Sequence, residues 1–277
     1  MQYLALATDY DGTLAQDGHV NPETLDAIRR LRASGRKVIL VTGRELPELQ
    51  SVFPDIALCD VVVAENGALL YWPAEGREEV IGEPPPANFI AEMTTRDVKP
   101  FSVGRCIFAT WRPHENVVLE VIQSLGLEYQ IIFNKRAVMV LPSGINKATG
   151  LAKALKRLKI SAGHVVGIGD AENDHAFLDS CAVAVAVENA LPALKEKCDL
   201  VLGADHGAGV SELIDRIVAD DLQSLGPRRP RKEMAAHNVV KDPEVAKQPS
   251  AAPQSVAGNL PATVKQTGPA KQTVRSK

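Results

Sequence analysis

What this sequence lacks narrows it first. None of its 277 residues falls in a run of eighteen apolar residues, so no membrane-spanning helix is expected. Its four cysteines, Cys59, Cys106, Cys181 and Cys198, include no C-x-x-C pair. That pattern points to buried structural thiols in a reduced, cytoplasmic setting. The N-terminus enters an apolar run directly, without a basic n-region or a cleavage site, and the reading is of a protein that is not secreted. Aromatic residues are absent from residue 223 onward, where Pro, Gln, Ala, Lys and Thr dominate. Such a segment buries too little apolar surface to offset its ordering entropy, and residues 223–277 are expected to be disordered.

Charge divides at the same place. Ten Lys/Arg against three Asp/Glu give the segment from residue 223 a net +7, and residues 1–222 carry −10, within a total of −3. A basic stretch such as "PRRPRK" could touch nucleic acid, but at this length and without aromatics a solvated tail is the simpler expectation. The remaining 222 residues belong to a chain that is 45% hydrophobic, enough for one large α/β domain or a core with an insert.

Short apolar runs alternate with helical patterns over residues 3–82. "YLALAT", "KVILVT" and "DVVVAE" read as strands of a parallel sheet buried on both faces. Between the first two lies a helix with Asn21 as N-cap, Pro22 at its first position and Gly35 just past its end. Asn66-Gly67 is a two-residue hairpin signal. "GEPPPANF" then breaks the rhythm. Residues 83–142 read as an αββαββ block, with helices near 87–96 and 113–125 and strands ending in "RCIFATW", "EYQIIFN" and "AVMVLP". From Asn146 the α/β rhythm resumes: a helix to Lys159, strand "HVVGIG", a helix over 172–179, strand "AVAVAV", a helix from Asn189, strand "DLVLG" and a helix to Ala219. The prediction is an α/β protein: a doubly wound parallel-sheet core (1–82 and 143–222) interrupted by a small α+β insert (83–142).

In such sheets ligands sit beyond the carboxyl ends of the strands. The groups expected there are Asp9, Asp11, Gly12 and Thr13; Thr42, Gly43 and Arg44; and Asp170, Asn173 and Asp174. Lys147 joins them at the start of the helix after the insert. Asp9 and Asp11, one residue apart, repel unless a cation lies beside them. Asp9 and Asp170 are hard oxygen ligands suited to Mg²⁺, and Thr42 and Lys147 are donors for a phosphate next to it. Gly12 and Gly43 would let the backbone approach the ligand closely. Arg44 is most simply expected to pair with a core carboxylate, Asn189 to be an N-cap, and His175 to be structural. In the insert, Arg105, Arg112 and Lys135, and also Trp111 and His114, are candidates to reach a substrate.

"DYDGTL", "VILVTGR", Lys147 and "GDAEND" together resemble the four ordered motifs of the haloacid dehalogenase superfamily. The position of the insert, "ENGALLY" and "VENALPALKEKCD" resemble its class IIB (Cof-type) members, which carry an α/β cap. The resemblance covers about residues 1–222. It implies Asp9 as a nucleophile forming an aspartyl-phosphate, and Asp11 as acid and then base, with its backbone carbonyl on Mg²⁺. It further implies Thr42, Gly43, Lys147 and Asn173 on the phosphoryl group, and Asp170 and Asp174 at the metal. The activity so implied is a Mg²⁺-dependent phosphomonoesterase acting on a small phosphorylated metabolite, with archaeal-type phosphoglycolate phosphatases and sucrose-phosphate phosphatases as similar kinds. Two other readings remain open at this point: a phosphomannomutase-like mutase, and a non-enzymatic binding module whose basic tail contacts an acidic partner.

Overall fold

The apolar runs become the centre of one sheet because their side chains are buried on both faces. In the computed structural model, which describes residues 1–223, the chain begins β1 (Ala5–Asp9), α1 (Pro22–Ala33), β2 (Lys37–Val41), α2 (Leu46–Val52), β3 (Val61–Ala64), β4 (Leu69–Trp72) and β5 (Arg77–Val80). It continues α3 (Ala87–Thr95), β6 (Phe101–Val103), β7 (Phe108–Trp111), α4 (Glu115–Ser124), β8 (Tyr129–Asn134) and β9 (Ala137–Pro142). It closes with α5 (Lys147–Leu158), β10 (Val165–Gly169), α6 (His175–Ser180), β11 (Val183–Ala186), α7 (Pro192–Lys195), β12 (Leu200–Val201) and α8 (His206–Asp220). The expectation of a disordered tail falls, from residue 224 on, outside the described residues.

Eight strands form the first sheet in the order β12-β11-β10-β1-β2-β3-β4-β5. From β12 to β3 all neighbours are parallel. The chain winds outward from β1 through α1 to β2, and the other way from β10 through α6 to β11. With right-handed crossovers the two windings place their helices on opposite faces. Fully buried side chains such as Leu6, Ile39, Val62, Val166 and Val185 fill the space between, each contributing roughly 1.5–3 kcal/mol through burial. No helix among the described residues is long and apolar enough to cross a membrane.

The sheet is not parallel throughout. β4 and β5 run antiparallel at one edge. β5, "REEV", is mostly exposed and has no apolar face, so hydrophobic periodicity does not signal it. Asn66-Gly67 does not form the expected two-residue turn: Ala64 pairs with Leu69, and a 3₁₀ turn over Glu65–Gly67 fills the longer loop. The helix expected from Asn189 begins at Pro192, and the one expected over 172–179 is a 3₁₀ turn (Glu172–Asp174) followed by α6.

Helix ends follow the local signals closely. Asn21 accepts from the Thr24 N–H at 2.7 Å, with Pro22 behind it. Asn146 and Thr149 form a reciprocal capping box at the start of α5, which fixes the position of Lys147 at its first residue.

A second, four-stranded antiparallel sheet, β6-β7-β9-β8, accounts for residues 101–142. Alternation along β9 explains its two faces: Val140 packs with Phe89, Met93 and Val121 of α3 and α4, while Met139 and Leu141 pack with Cys106 and Ile107. Phe89 and Phe108 meet edge to face at 5.2 Å. None of the four cysteines forms a disulfide.

Candidate active site

The strand order reverses around β1, which lies between β10 and β2, and the loops leaving these strands converge there. Asp9 ends β1, and Asp170 follows β10 directly; both are buried. Lys147 comes from the first residue of α5, where a cation meets the unfavourable end of the helix dipole. It is held there because its ammonium lies against Asp9 Oδ1 and 2.7 Å from Asp174 Oδ1, with only 1% of the residue exposed. Asp174 Oδ2 accepts from the backbone N–H groups of Asp170 and Ala171, both at 2.9 Å. One carboxylate thus fixes both the lysine and the loop that carries Asp170.

Charge is dense at this point. Carboxylate oxygens of Asp9, Asp170 and Asp174 lie within 4.8 Å of one another. Burial pushes the Asp9 carboxyl well above its usual range and Asp174 adds to the shift, while Lys147 opposes it. Asp170 is raised for the same two reasons, against Lys135. For Lys147, burial pulls the ammonium down, but Asp174 and Asp9 outweigh it and leave it raised. The donors suit a hard divalent cation: oxygen ligands only, close together, and held in a strained excess of negative charge.

Gly12 turns the chain just beyond Asp11 with φ +89°. A Cβ there would run into the Asp170 carboxylate, so only glycine lets the two loops meet. Thr13 donates its hydroxyl to Asp170 Oδ1 at 3.1 Å. Asn189 caps no helix of its own. Its Nδ2 donates to the Gly12 carbonyl at 2.7 Å, and its Oδ1 accepts from the N–H of His206 at the start of α8.

Asp11 faces an open cleft of about 440 Å³ whose lining includes Asp9, Gly43, Arg44 and Lys135, with Phe101, Ile107, Ala109, Trp111 and Met139 of the second sheet opposite. Arg44 grips Asp11 through a two-pronged pair at 2.7 and 2.8 Å and reaches Glu48 at 2.6 Å. Its partner is therefore a cleft carboxylate, not the core carboxylate expected from sequence. The in-register pairing of Asp9 with Val41 places the residues just past both strands side by side, and that register was the available clue. Thr42 is fully buried, and its hydroxyl accepts from the Arg44 N–H at 3.1 Å. Asn173 donates to Asn66 Oδ1 at 3.1 Å.

The three basic candidates of the insert, Lys135, Arg105 and Arg112, separate. Lys135, at the β8–β9 turn, reaches down to Asp170 Oδ2 at 3.0 Å. Arg105 pairs with Glu78, and Arg112 stacks on the Phe133 ring at 4.9 Å; neither lines the cleft. Trp111 lines it and is half exposed, whereas His114 bonds to the Lys99 carbonyl.

Comparison with known proteins agrees with this arrangement. The sequence matches the family described as haloacid dehalogenase-like hydrolase over residues 6–91 and 128–214. It is 32% identical over 226 residues to a phosphoglycolate phosphatase of Methanothermobacter thermautotrophicus, covering 77% of this chain and 98% of that protein. Among solved structures, Thermoplasma acidophilum 0175 superposes with a TM-score of 0.67 at 18% identity, covering 78% of this chain and 98% of that one. A phosphatase of the haloalkanoate enzyme superfamily from Bacteroides thetaiotaomicron does so with a TM-score of 0.61 at 20% identity, covering 78% and 94%.

Proposed function

Because the chain belongs to the haloacid dehalogenase-like hydrolases and is a phosphatase among them, we propose that it hydrolyses a small phosphomonoester in two steps, through a phosphate ester of Asp9. The observation that carries this reading is the buried Asp9–Lys147–Asp174 cluster at the strand-order reversal, with Asp170 beside it and an open cleft in front. A carboxylate oxygen of Asp9 attacks phosphorus, with the ammonium of Lys147 held against that carboxylate. As the Asp9–phosphorus bond forms, the ester oxygen departs with a proton from Asp11. Asp11 then takes a proton from water, the water oxygen attacks phosphorus, and the bond to Asp9 breaks to release phosphate. To move these protons Asp11 must exchange the Arg44 fork for the leaving oxygen.

The site fits Mg²⁺, which the carboxylates of Asp9 and Asp170 and the backbone carbonyl of Asp11 would hold and which would supply charge neutralisation for the phosphoryl oxygens. Asp174 keeps Lys147 and the Asp170 loop in place. Lys147, Thr42, Gly43 and Asn173 receive the phosphoryl group, and residues 83–142 form a cap that selects the substrate through Lys135 and the apolar wall opposite the floor.

The phosphoglycolate phosphatase relative makes 2-phosphoglycolate the first substrate to try. The cleft, at about 440 Å³ with an apolar wall, is roomier than a two-carbon acid requires and favours sugar phosphates as the second class. Phosphate release measured over a panel of phosphorylated acids and sugars, with Mg²⁺ and with a chelator, tests the reading. Release from at least one compound, abolished by the chelator, is expected. Isomerisation of a hexose phosphate that needs a sugar bisphosphate and releases no phosphate would replace it with a mutase.

A further inference from the structure

Among the described residues Glu65 is the one fully buried acid to which the chemistry above gives no role. It is 1% exposed and sits in the left-handed region at φ +49°, a conformation that favours glycine or asparagine. Its backbone is tied to the catalytic loops: the Glu65 N–H donates to the Arg44 carbonyl and the Asn66 N–H to the Thr42 carbonyl, both at 2.9 Å. The side chain reaches away from them to the loop that joins β6 and β7. There Oε1 accepts from the Arg105 N–H at 2.8 Å, and Oε2 accepts from the N–H groups of Cys106 at 2.8 Å and Ile107 at 3.2 Å.

Three consecutive amides aimed at one carboxylate make a nest that holds negative charge without a cation. Among the described residues no Lys or Arg pairs with Glu65. Gly104, immediately before the nest, has no space for a side chain, since a Cβ would stand 2.6 Å from Glu65 Oε1. A packing contact alone would be met by an apolar residue without desolvating a charge. A carboxylate adds direction, because it fixes three N–H vectors at once. Ile107 ends the nest and lines the cleft, and Ala109, Thr110 and Trp111 of β7 continue the same wall.

We propose that Glu65 is a positioning residue: it seats the β7 wall of the cleft on the loops of Thr42 and Arg44, and so sets affinity for the part of the substrate beyond its phosphate. The inference rests on the phosphatase reading of the cleft. The test uses the full chain carrying Glu65→Gln, which keeps the shape but puts an amide donor against a backbone donor, and separately Gly104→Ala, which forces the nest away while leaving Glu65 intact. Two readouts are taken: hydrogen exchange of the amides at 105–107, and steady-state kinetics with 2-phosphoglycolate and with p-nitrophenyl phosphate.

In both variants the three amides should exchange about tenfold faster or more, with the first sheet unchanged. KM for 2-phosphoglycolate should rise about tenfold while kcat for p-nitrophenyl phosphate stays within about threefold, the signature of lost binding rather than lost chemistry. Unchanged exchange at 105–107 in both variants would overturn the clamp. Equal loss of kcat on both compounds, with KM unchanged, would overturn the positioning role. If the wild-type protein hydrolyses neither compound, nor any other of the panel above, the phosphatase reading fails by itself, and exchange at 105–107 alone decides whether Glu65 holds the loop.

Discussion

Two lysines touch the same aspartate cluster from opposite sides, and they are built differently. Lys147 rises from the first sheet's side of the cleft, fully buried, with a carboxylate on each side. Lys135 comes down from the second sheet on a hairpin turn, its side chain 55% exposed, and makes one ion pair with Asp170. The first cannot move without leaving two buried carboxylates unpaired; the second is solvated already and leaves one when it swings away. A charge that must stay fixed through every turnover belongs in the floor, and one that must admit and release different molecules belongs on a solvent-facing turn. The same division separates Asp174, with both oxygens engaged, from the exposed Arg105, which reaches Glu78 at the edge of the first sheet, and from Arg112, which stacks on Phe133 of the second.

The largest expected effect comes from breaking the floor. Lys147→Met removes the one cation that, among the described residues, pairs with both Asp9 and Asp174, and such a change costs about 3–5 kcal/mol. Urea denaturation should show this as a lowered midpoint, with turnover lost as well. A destabilisation below about 1 kcal/mol would mean the cluster is not held by that lysine.

Lys135→Ala should give the contrasting pattern. The ammonium of this pair is half exposed while Asp170 is buried, so the midpoint should fall by less than in Lys147→Met, while KM for the best natural substrate rises by about tenfold. A stability loss like that of Lys147→Met would erase the distinction between the two lysines.

Far from the cleft, Arg36 and the Gln2 N–H bind Asp221 at 2.6 and 3.0 Å. Burial pushes this carboxyl up, but those two partners outweigh it and hold it below the ordinary range. A depressed carboxylate stabilises the fold above its unfolded value, about pH 3.9, and the gain is lost as pH falls through the folded value. Asp221→Asn should therefore be less stable than wild type at pH 7 by about 1 kcal/mol or less, and the gap should close below about pH 4. A gap that is constant from pH 7 to pH 3 would show that charge has no part in it.

Much of the floor was legible because local signals coincide with it. The apolar runs give β1, β2, β3, β10 and β11, the Asn21 and Pro22 pair starts α1, and chemically unusual residues follow the ends of β1, β2 and β10. What escaped was contact across long sequence separations. Arg44 finds Asp11 33 residues away, Glu65 finds Cys106 41 away, and Asn189 finds Gly12 177 away. Hydrogen bonds of this kind leave no periodicity in the chain, and each residue has an ordinary local alternative (an ion pair, a turn, a cap) that sequence alone favours. Within the insert, strands and helices could be read, but nothing distinguished Lys135 from Arg105 and Arg112. The hairpin turn that carries Lys135 over Asp170 is set by how the two sheets meet.

The central claim is that Asp9 carries the phosphoryl group while Asp11 moves the protons, and Asp11→Asn tests it most directly. That variant keeps the nucleophile and a near-isosteric side chain but loses acid–base help, a contribution on the order of 10² to 10⁴ in rate. Nitrophenolate leaves without a proton, so transfer to Asp9 should be partly spared, whereas hydrolysis of the Asp9 ester, which needs a base for water, should stay slow. Rapid mixing of the variant with p-nitrophenyl phosphate and Mg²⁺ should give a burst near one equivalent of nitrophenol per enzyme, a slow steady state, and phosphate covalently bound at Asp9. No burst, no labelled protein and equally slow turnover of good and poor leaving groups would contradict the account.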